Sequence, residues 1–450
     1  MDKKRTLDLG KTSIGRLFAE YYFPTLLSLS FSAILNVTDG VFVGRGVGSD
    51  ALAAVNVAAP VFMIATGLGL MLGSGISVVG AIHKSRGSAD LANRSMTIGL
   101  ATTLLTGLIV ALLVTFFPKQ LCYLFGGSDI LLPYVTDYLT SLWLAMLSYG
   151  VMVAGMFAIR LDGSPRYAMM SNVIPALLNI VLDYVFIFPM DMGIRGAGIA
   201  TSICGFIGAL IVVLYFTAFS RGMRFSRIPM QVIRQGVAAR EAAKMCKVGI
   251  PAFIGETAIS FMLVVGNYVF ISKLGEDGVA AFSVACYLMP IVFMFGNSVA
   301  QSAMPIVSFN HGCGQTDRVA KTFRLSVMVA AGTGLLVSAG VYAASGLLSF
   351  CFLDSSTNAY VLAERGLPLF ALGFMPFVLN VVLIGYFQSI EESRRASVFM
   401  LLRGYVGVLV LALIMPNILG EVGLWLTVPA SEALTLLLIL LTWRKKARHI

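Results

Sequence analysis

Charge is scarce in this chain. Asp, Glu, Lys and Arg make up 12% of its 450 residues and apolar types 58%, with a mean hydropathy of +0.88. A soluble globular domain carries about 25% charged residues, so that class is excluded. Histidine is almost missing: His83, His311 and His449 all fall outside the apolar runs, in segments expected on the cytoplasmic side, where a solvated role fits better than a catalytic one. The six cysteines, Cys122, Cys204, Cys246, Cys286, Cys313 and Cys351, show no CxxC spacing, which argues against a thiolate metal site and for inert apolar residues. GxGxxG and GxxxxGK loops are absent, so neither a dinucleotide cofactor nor ATP as an energy source is expected. Clustered acids of the DDxxD type and a His–Asp pair near the surface are also lacking. The membrane-embedded prenyl or acyl transferase that would need them is therefore disfavoured, and no enzyme activity or organic cofactor is expected.

What the chain has in abundance is apolar runs. Twelve stretches are each long enough to cross a hydrocarbon layer of about 30 Å as a helix, at 17–43, 52–81, 95–117, 131–158, 167–188, 195–219, 247–272, 278–309, 322–346, 359–387, 396–415 and 422–443. With no water in the bilayer core, backbone polar groups must be satisfied within the segment, so these runs predict helices. The expected class is an all-α membrane protein of twelve transmembrane helices.

Loop charges support that number. Cytoplasmic loops retain Lys and Arg, and alternate loops counted from the basic start "MDKKRTLDLGKTSIGR" hold all but five of the 32 Lys and Arg residues, the exceptions being Arg45, Lys119, Arg195, Lys273 and Arg365. Both termini are thus expected in the cytoplasm. The net charge of +10 follows from topology and calls for no nucleic-acid partner. The first run is too long for a cleaved signal and lacks a small-residue cleavage site, so no targeting peptide is read here.

The chain also repeats itself. A shift of 227 residues lays "GVGSDALAAVNVA" (46–58) on "KLGEDGVAAFSVA" (273–285), and pairs Gly48 with Gly275, Gly69 with Gly296, Gly87 with Gly314, Asp90 with Asp317, Pro189 with Pro416 and Gly196 with Gly423. Six helices per half is an even number, so both halves start on the same side. They should form two six-helix lobes related by a pseudo-twofold axis along the membrane normal, an arrangement of one transporter class. The expected division is 1–219, a basic linker 220–246, and 247–450. Two lobes and a linker suggest alternating access by rocking; a symmetric scaffold is the alternative.

Buried acids separate the halves. Under the same shift Asp39 falls on Gly266, Asn179 on Val406, Asp183 on Val410 and Thr201 on Val428. Counted from the loops, Asp39, Tyr138, Asp183 and Thr201 reach a similar depth. Asn179 and Asp183 are four apart and Asn36 and Asp39 three apart, so each pair shares a helix face. An ionised carboxylate at mid-membrane depth costs roughly 2.5–3.5 kcal/mol, and two side by side repel. A bound cation relieves both penalties. A proton would sit on one Asp; Na⁺ would suit the hard oxygens of Asp39, Asn179, Asp183 and Thr201. A hydrogen-bonded cluster that only pins helices together stays open as the alternative.

The stretches "DGVFVGRGVGSDALAAV", "RLDGSPRYAM" and "NIVLDYVFIF" followed by "GIRGAGIATSI" resemble the multidrug and toxin extrusion (MATE) family, close to its bacterial MepA-type branch, over essentially the whole chain. The resemblance implies a cation-coupled (H⁺ or Na⁺) antiporter, monomeric, in the bacterial cytoplasmic membrane, exporting organic cations and drugs. By motif position it places a cation site on Asp39, Tyr138, Asn179, Asp183 and Thr201, and a kink proline at Pro24. A proline inside a helix removes one backbone hydrogen bond, so the first helix could bend as Asp39 changes state; a static kink is the alternative. In the second half, Glu256 in "IPAFIGETAISF" matches an acid used by one branch of the family, but its expected Asp partner is missing from "LPLFALGFMPFVLNVVL". Glu256 is therefore read either as a counter-charge for a cationic substrate or as a local helix–helix contact. Glu432 has no motif behind it. A lipid-linked sugar flippase of the same superfamily would line its cavity with several arginines, and the spans here hold almost none, Arg403 entering the eleventh close to the cytoplasmic face. The run "GLGLMLGSG" (67–75) reads as close helix packing.

Overall fold

The computed structural model describes residues 7–220 and 222–447; the first residues of the basic start, and His449, lie outside these. Seventeen α-helices and no strands occur among the described residues. The first unit of the chain contains α1 (Ile14–Gly46), α2 (Ser49–Ser85), α3 (Ala89–Phe116), α4 (Pro118–Leu124), α5 (Leu132–Ser141), α6 (Trp143–Leu161), α7 (Pro165–Ile187), α8 (Gly193–Leu214) and α9 (Met230–Arg234). There follow α10 (Val237–Gly312), α11 (Thr316–Ala343), α12 (Ser345–Phe352), α13 (Asn358–Ala371), α14 (Phe374–Ser389), α15 (Ser393–Leu401), α16 (Gly407–Leu419) and α17 (Glu421–Ala447).

Ten of these helical stretches are individually long and apolar enough to cross a membrane, and α13 with α14, bent by 41°, makes an eleventh. The twelfth comes from α10. Its 76 residues would run for about 110 Å as one helix, several times the membrane, and Gly275 breaks it with φ of +67°. The break falls where the sequence expects an outer loop. The fourth expected span is interrupted at Leu142 between α5 and α6. The all-α membrane class expected from the sequence is the class observed.

The repeat is visible in the backbone. Gly48 and Gly275 both take positive φ, as do Gly87 with Gly314 and Gly193 with Gly420, each pair separated by the sequence shift. A left-handed turn that strains a side chain is free for glycine, so the same residue type recurs at the same joint. The short helices α4 and α12 correspond in the same way.

By compactness the chain falls into two units. The first reaches Glu256 and adds Met304–Val319; the second holds Thr257–Ala303 and the chain from Ala320. In the first unit the glycine run of α2 packs as its composition suggests. A methyl group on Gly69 would come within 2.9 Å of the Gly150 Cα on α6, and one on Gly73 equally close to the Ala154 Cα. Against α10 the contact is reciprocal: a methyl on Gly75 would strike the Met245 carbonyl, and one on Gly249 the Met71 carbonyl. Both partners stand four residues from the opposing glycine, so two backbones meet with no side chain between them. The same unit holds down residues 7–13. Asn310, fully buried, donates from Nδ2 to the Leu9 carbonyl at 3.0 Å. Arg318 donates from Nη2 to the carbonyls of Leu9 (2.9 Å) and Thr12 (2.7 Å), and from Nε to Asn310 Oδ1 (2.8 Å).

Between α1 and α7 the join is polar. Asn172 Nδ2 donates to the Ser28 carbonyl (2.9 Å) and hydroxyl (3.0 Å) and to the Ser32 hydroxyl (2.8 Å). Interhelical hydrogen bonds in membranes are worth about 0.6 kcal/mol on average and about 1.7 at most.

Two outcomes are expected. Asn172→Leu lowers the thermal midpoint of the detergent-purified protein by the equivalent of roughly 1–2 kcal/mol, and an unchanged midpoint would show that the clasp does not hold α1. Gly249→Ala costs about 1–3 kcal/mol in the same assay because backbone, not a movable side chain, occupies the space, whereas Gly332→Ala, with nothing near its Cβ, leaves the midpoint unchanged.

Candidate coupling site

The buried positions of α7, Ala168, Ser171, Asn172, Pro175, Ala176, Asn179, Asp183 and Ile187, recur at three- and four-residue steps. One face of this helix is therefore buried along its whole length, and it carries every polar group of interest. Asn179 and Asp183 share that face, as their spacing requires, and Asn179 Nδ2 donates to Asp183 Oδ1 at 3.3 Å.

α1 supplies the opposing acid. Pro24 lies inside α1, which nonetheless runs unbroken from Ile14 to Gly46, and Asp39 sits two turns short of its end. The Asp39 and Asp183 carboxyls are close neighbours. A hydrogen bond between two carboxyl groups needs a proton on one of them, since an ionised carboxylate is an acceptor only. Asp39 Oδ1 and Asp183 Oδ2 are both shut from solvent and accept no hydrogen bond from a donor among the described residues. Such orphaned acceptors in a low-dielectric setting are costly, and a bound cation is the partner that would satisfy both.

Tyr138, buried on α5, lies within electrostatic range of both acids. Its place is set by the interruption at Leu142. There the Ser202 hydroxyl of α8 donates to the Ser141 carbonyl (2.7 Å) and accepts from the Ala145 N–H (3.2 Å), replacing helix bonds lost at the break. Thr201 is half-buried next to that seam, and no hydrogen bond among the described residues joins it to either carboxyl. Asn36 is exposed and likewise unjoined to the pair. Cys204, buried on α8 three residues beyond Thr201, faces Asp183; it was read from the sequence only as inert. Helical spacing from Thr201 was the signal available for it. No group of three or more His, Cys, Asp or Glu able to hold a metal occurs among the described residues.

The equivalent region of the second unit is apolar. A small pocket there is lined by Met262, Gly266, Phe282, Val408, Ala412 and Val428, among others. Gly266 and Val428 are the repeat partners of Asp39 and Thr201. The polarity of the second unit lies elsewhere: Arg403 Nε bonds Glu432 Oε1 at 2.8 Å and Oε2 at 3.0 Å, Asn380 Nδ2 donates to Glu432 Oε2 at 2.7 Å, and the Arg403 guanidinium stands 4.0 Å from the Phe377 ring centre. From the sequence these residues were read separately. Two lone opposite charges in neighbouring spans were the available sign of a pair, because each is too costly to bury alone.

Glu256 is in the first unit, half-buried, and no ion pair among the described residues reaches it. It faces Tyr149, whose ring lies 4.9 Å from that of Phe62, and it stands beside Gly67 on α2. Glu20 makes an outer pair with Arg166 at 3.3 Å.

The MatE family profile matches residues 24–185 and 251–414, one match in each half of the repeat. The multidrug export protein MepA of Staphylococcus aureus (strain MRSA252) is 23% identical over 444 residues, covering 96% of this chain and 94% of the relative. Among solved structures, the MATE multidrug transporter DinF-BH is 26% identical with a TM-score of 0.84, over 99% of this chain and 98% of that one. An outward-facing multidrug resistance MATE family transporter of the MOP superfamily is 20% identical with a TM-score of 0.87, at the same coverage. These relatives are carriers rather than enzymes. With a profile matched over more than half of its length, the chain belongs to the MatE family of multidrug efflux transporters.

Proposed function

We propose that this chain is a cation-coupled antiporter that exports organic cations and drugs by alternating access, the coupling ion, H⁺ or Na⁺, being held between Asp39 and Asp183. One observation carries the proposal: a fully buried carboxyl, Asp183 on α7, and a half-buried one, Asp39 on α1, are neighbours, and Asp39 Oδ1 and Asp183 Oδ2 are shut from solvent with no hydrogen-bond donor among the described residues. The export of drugs by the relatives named above supports the substrate class. The bacterial cytoplasmic membrane, with both termini inside, and a monomeric state belong to the same reading.

A proton would sit on one carboxyl and be donated to the other. Sodium would be held by Asp39, Asp183 and the Asn179 amide oxygen, with Thr201 the further oxygen in reach of the seam. In either case the bound charge cancels the repulsion between α1 and α7, and its release restores it. The Asn172 clasp holds α1 at Ser28 and Ser32, so the repulsion acts on the part of α1 beyond Ser32, which carries Asp39. Pro24, on the other side of the clasp, leaves the Glu20 carbonyl without its helical donor and gives α1 a second place to yield.

Glu256, beside Tyr149 and Phe62, offers a cationic substrate a carboxylate together with aromatic faces. A flippase reading would need arginines lining a cavity; Arg403 is neutralised by Glu432, and Arg160 lies buried in the last turn of α6.

Ethidium efflux from proteoliposomes under an imposed H⁺ or Na⁺ gradient tests the proposal. Asp39→Asn and Asp183→Asn should each reduce gradient-driven efflux about tenfold or more, the effect of losing at least 1.4 kcal/mol of ion binding. Undiminished efflux in both variants would reject the coupling site, and the gradient that drives the parent protein identifies the ion. Glu256→Gln should raise the apparent KM for ethidium roughly fivefold, for a charge contact of about 1 kcal/mol, while the ion dependence of transport stays as in the parent. A KM unchanged for every cationic substrate tried would remove Glu256 from the substrate path.

A further inference from the structure

The segment that follows α8 is fastened at both ends and bare between. At its start, Asp162 Oδ1 accepts from the Gly222 and Met223 N–H groups (3.1 and 2.8 Å). The chain then lies along the first turns of α3, where the Arg224 N–H donates to Asn93 Oδ1 and the Ser226 N–H to Thr97 Oγ1, both at 3.0 Å. At its far end Glu241 Oε1 accepts from the Ser95 hydroxyl (2.7 Å) and meets His83 Nε2 at 3.2 Å. Between Ser226 and Glu241 the exposed side chains include, besides Gln231 and Gln235, two kinds that matter here. Arg227, Arg234 and Arg240 are cationic; Met230 (62% exposed), Ile233 (51%) and Val237 (39%) are apolar. The only acid from 222 to 247, Glu241, is already engaged.

Position decides what covers this surface. α3 is lipid-facing in its next turns, with Leu104, Leu105 and Leu108 exposed, and the end of α8 is continued by exposed Leu214 and Phe219 and then, past the Asp162 anchor, by Phe225. Exposed apolar side chains thus continue from the end of a membrane helix onto the linker, past the exposed Arg224, and further arginines join them there. Apolar side chains at the level of the headgroups, mixed with Arg and no free acid, match an interface of anionic phospholipid. We propose that residues 225–240 are a membrane-surface anchor: Phe225, Met230, Ile233 and Val237 enter the edge of the bilayer, and Arg227, Arg234 and Arg240 bind the phosphates of anionic lipid headgroups.

The test places a fluorophore at Ile233→Cys in the full-length protein with Cys313 and Cys351 changed to Ser, in nanodiscs of phosphatidylcholine with or without phosphatidylglycerol. Brominated acyl chains should quench the label, more strongly when phosphatidylglycerol is present. The triple variant Arg227→Gln, Arg234→Gln, Arg240→Gln should retain less phosphatidylglycerol through purification, by roughly fivefold for each arginine removed, and inorganic phosphate should not compete. A label that aqueous iodide quenches and bromolipid does not would overturn the proposal. So would quenching that is indifferent to headgroup charge, which needs no variant to observe, or shielding of the label that appears only as the protein is concentrated, which would assign the surface to a second copy.

Discussion

The meeting of the Asp39 and Asp183 carboxyls, brought together from α1 and α7, is the constraint on which the polar chemistry of the first unit depends. An ionised carboxylate is costly at that depth, and two side by side repel. The surrounding architecture keeps them opposed. The buried face of α7 carries Asp183 and Asn179 at one end and, two turns earlier, the Asn172 clasp that fixes α1 in register. The seam at Leu142, repaired by Ser202, brings Tyr138 to the same level.

The two halves of the repeat have diverged in where they keep their charge. The first leaves two acids unanswered, and the second pairs Glu432 with Arg403 and lines the equivalent position with Gly266 and Val428. An internally neutralised pair has no deficit for an ion to fill, whereas an unanswered pair does. Duplication thus supplied one frame twice, and polarity was placed differently in each copy.

Much of this was legible in the sequence because lipid permits so few backbone solutions. The twelve spans, the joints at Gly48 and Gly275, and the close packing of 67–75 followed from length, repeat and small-residue spacing. Asn179 and Asp183 were placed on one face by their four-residue step, and the structure puts them there. Asn36 was grouped with Asp39 by the same kind of argument and is exposed; a three-residue step defines a face but not whether a neighbour covers it. The Asn172 clasp could not be read, since it joins residues on helices whose relative rotation no periodicity specifies. The Arg403–Glu432 pair and Cys204 left only weak signs, two lone opposite charges in neighbouring spans and a three-residue step from Thr201, neither of which says which way a side chain faces.

The bonds from Arg318 and Asn310 to the carbonyls of Leu9 and Thr12 bear on how the molecule is made. A chain emerging from the ribosome presents residues 7–13 first and Arg318 some three hundred residues later. The glycine seam between α2 and α10 has the same order, with Met245 and Gly249 arriving long after Gly75. The first compact unit therefore cannot close while it is being synthesised, and its early helices must wait in the membrane, loosely assembled, for a piece of the second half to lock them.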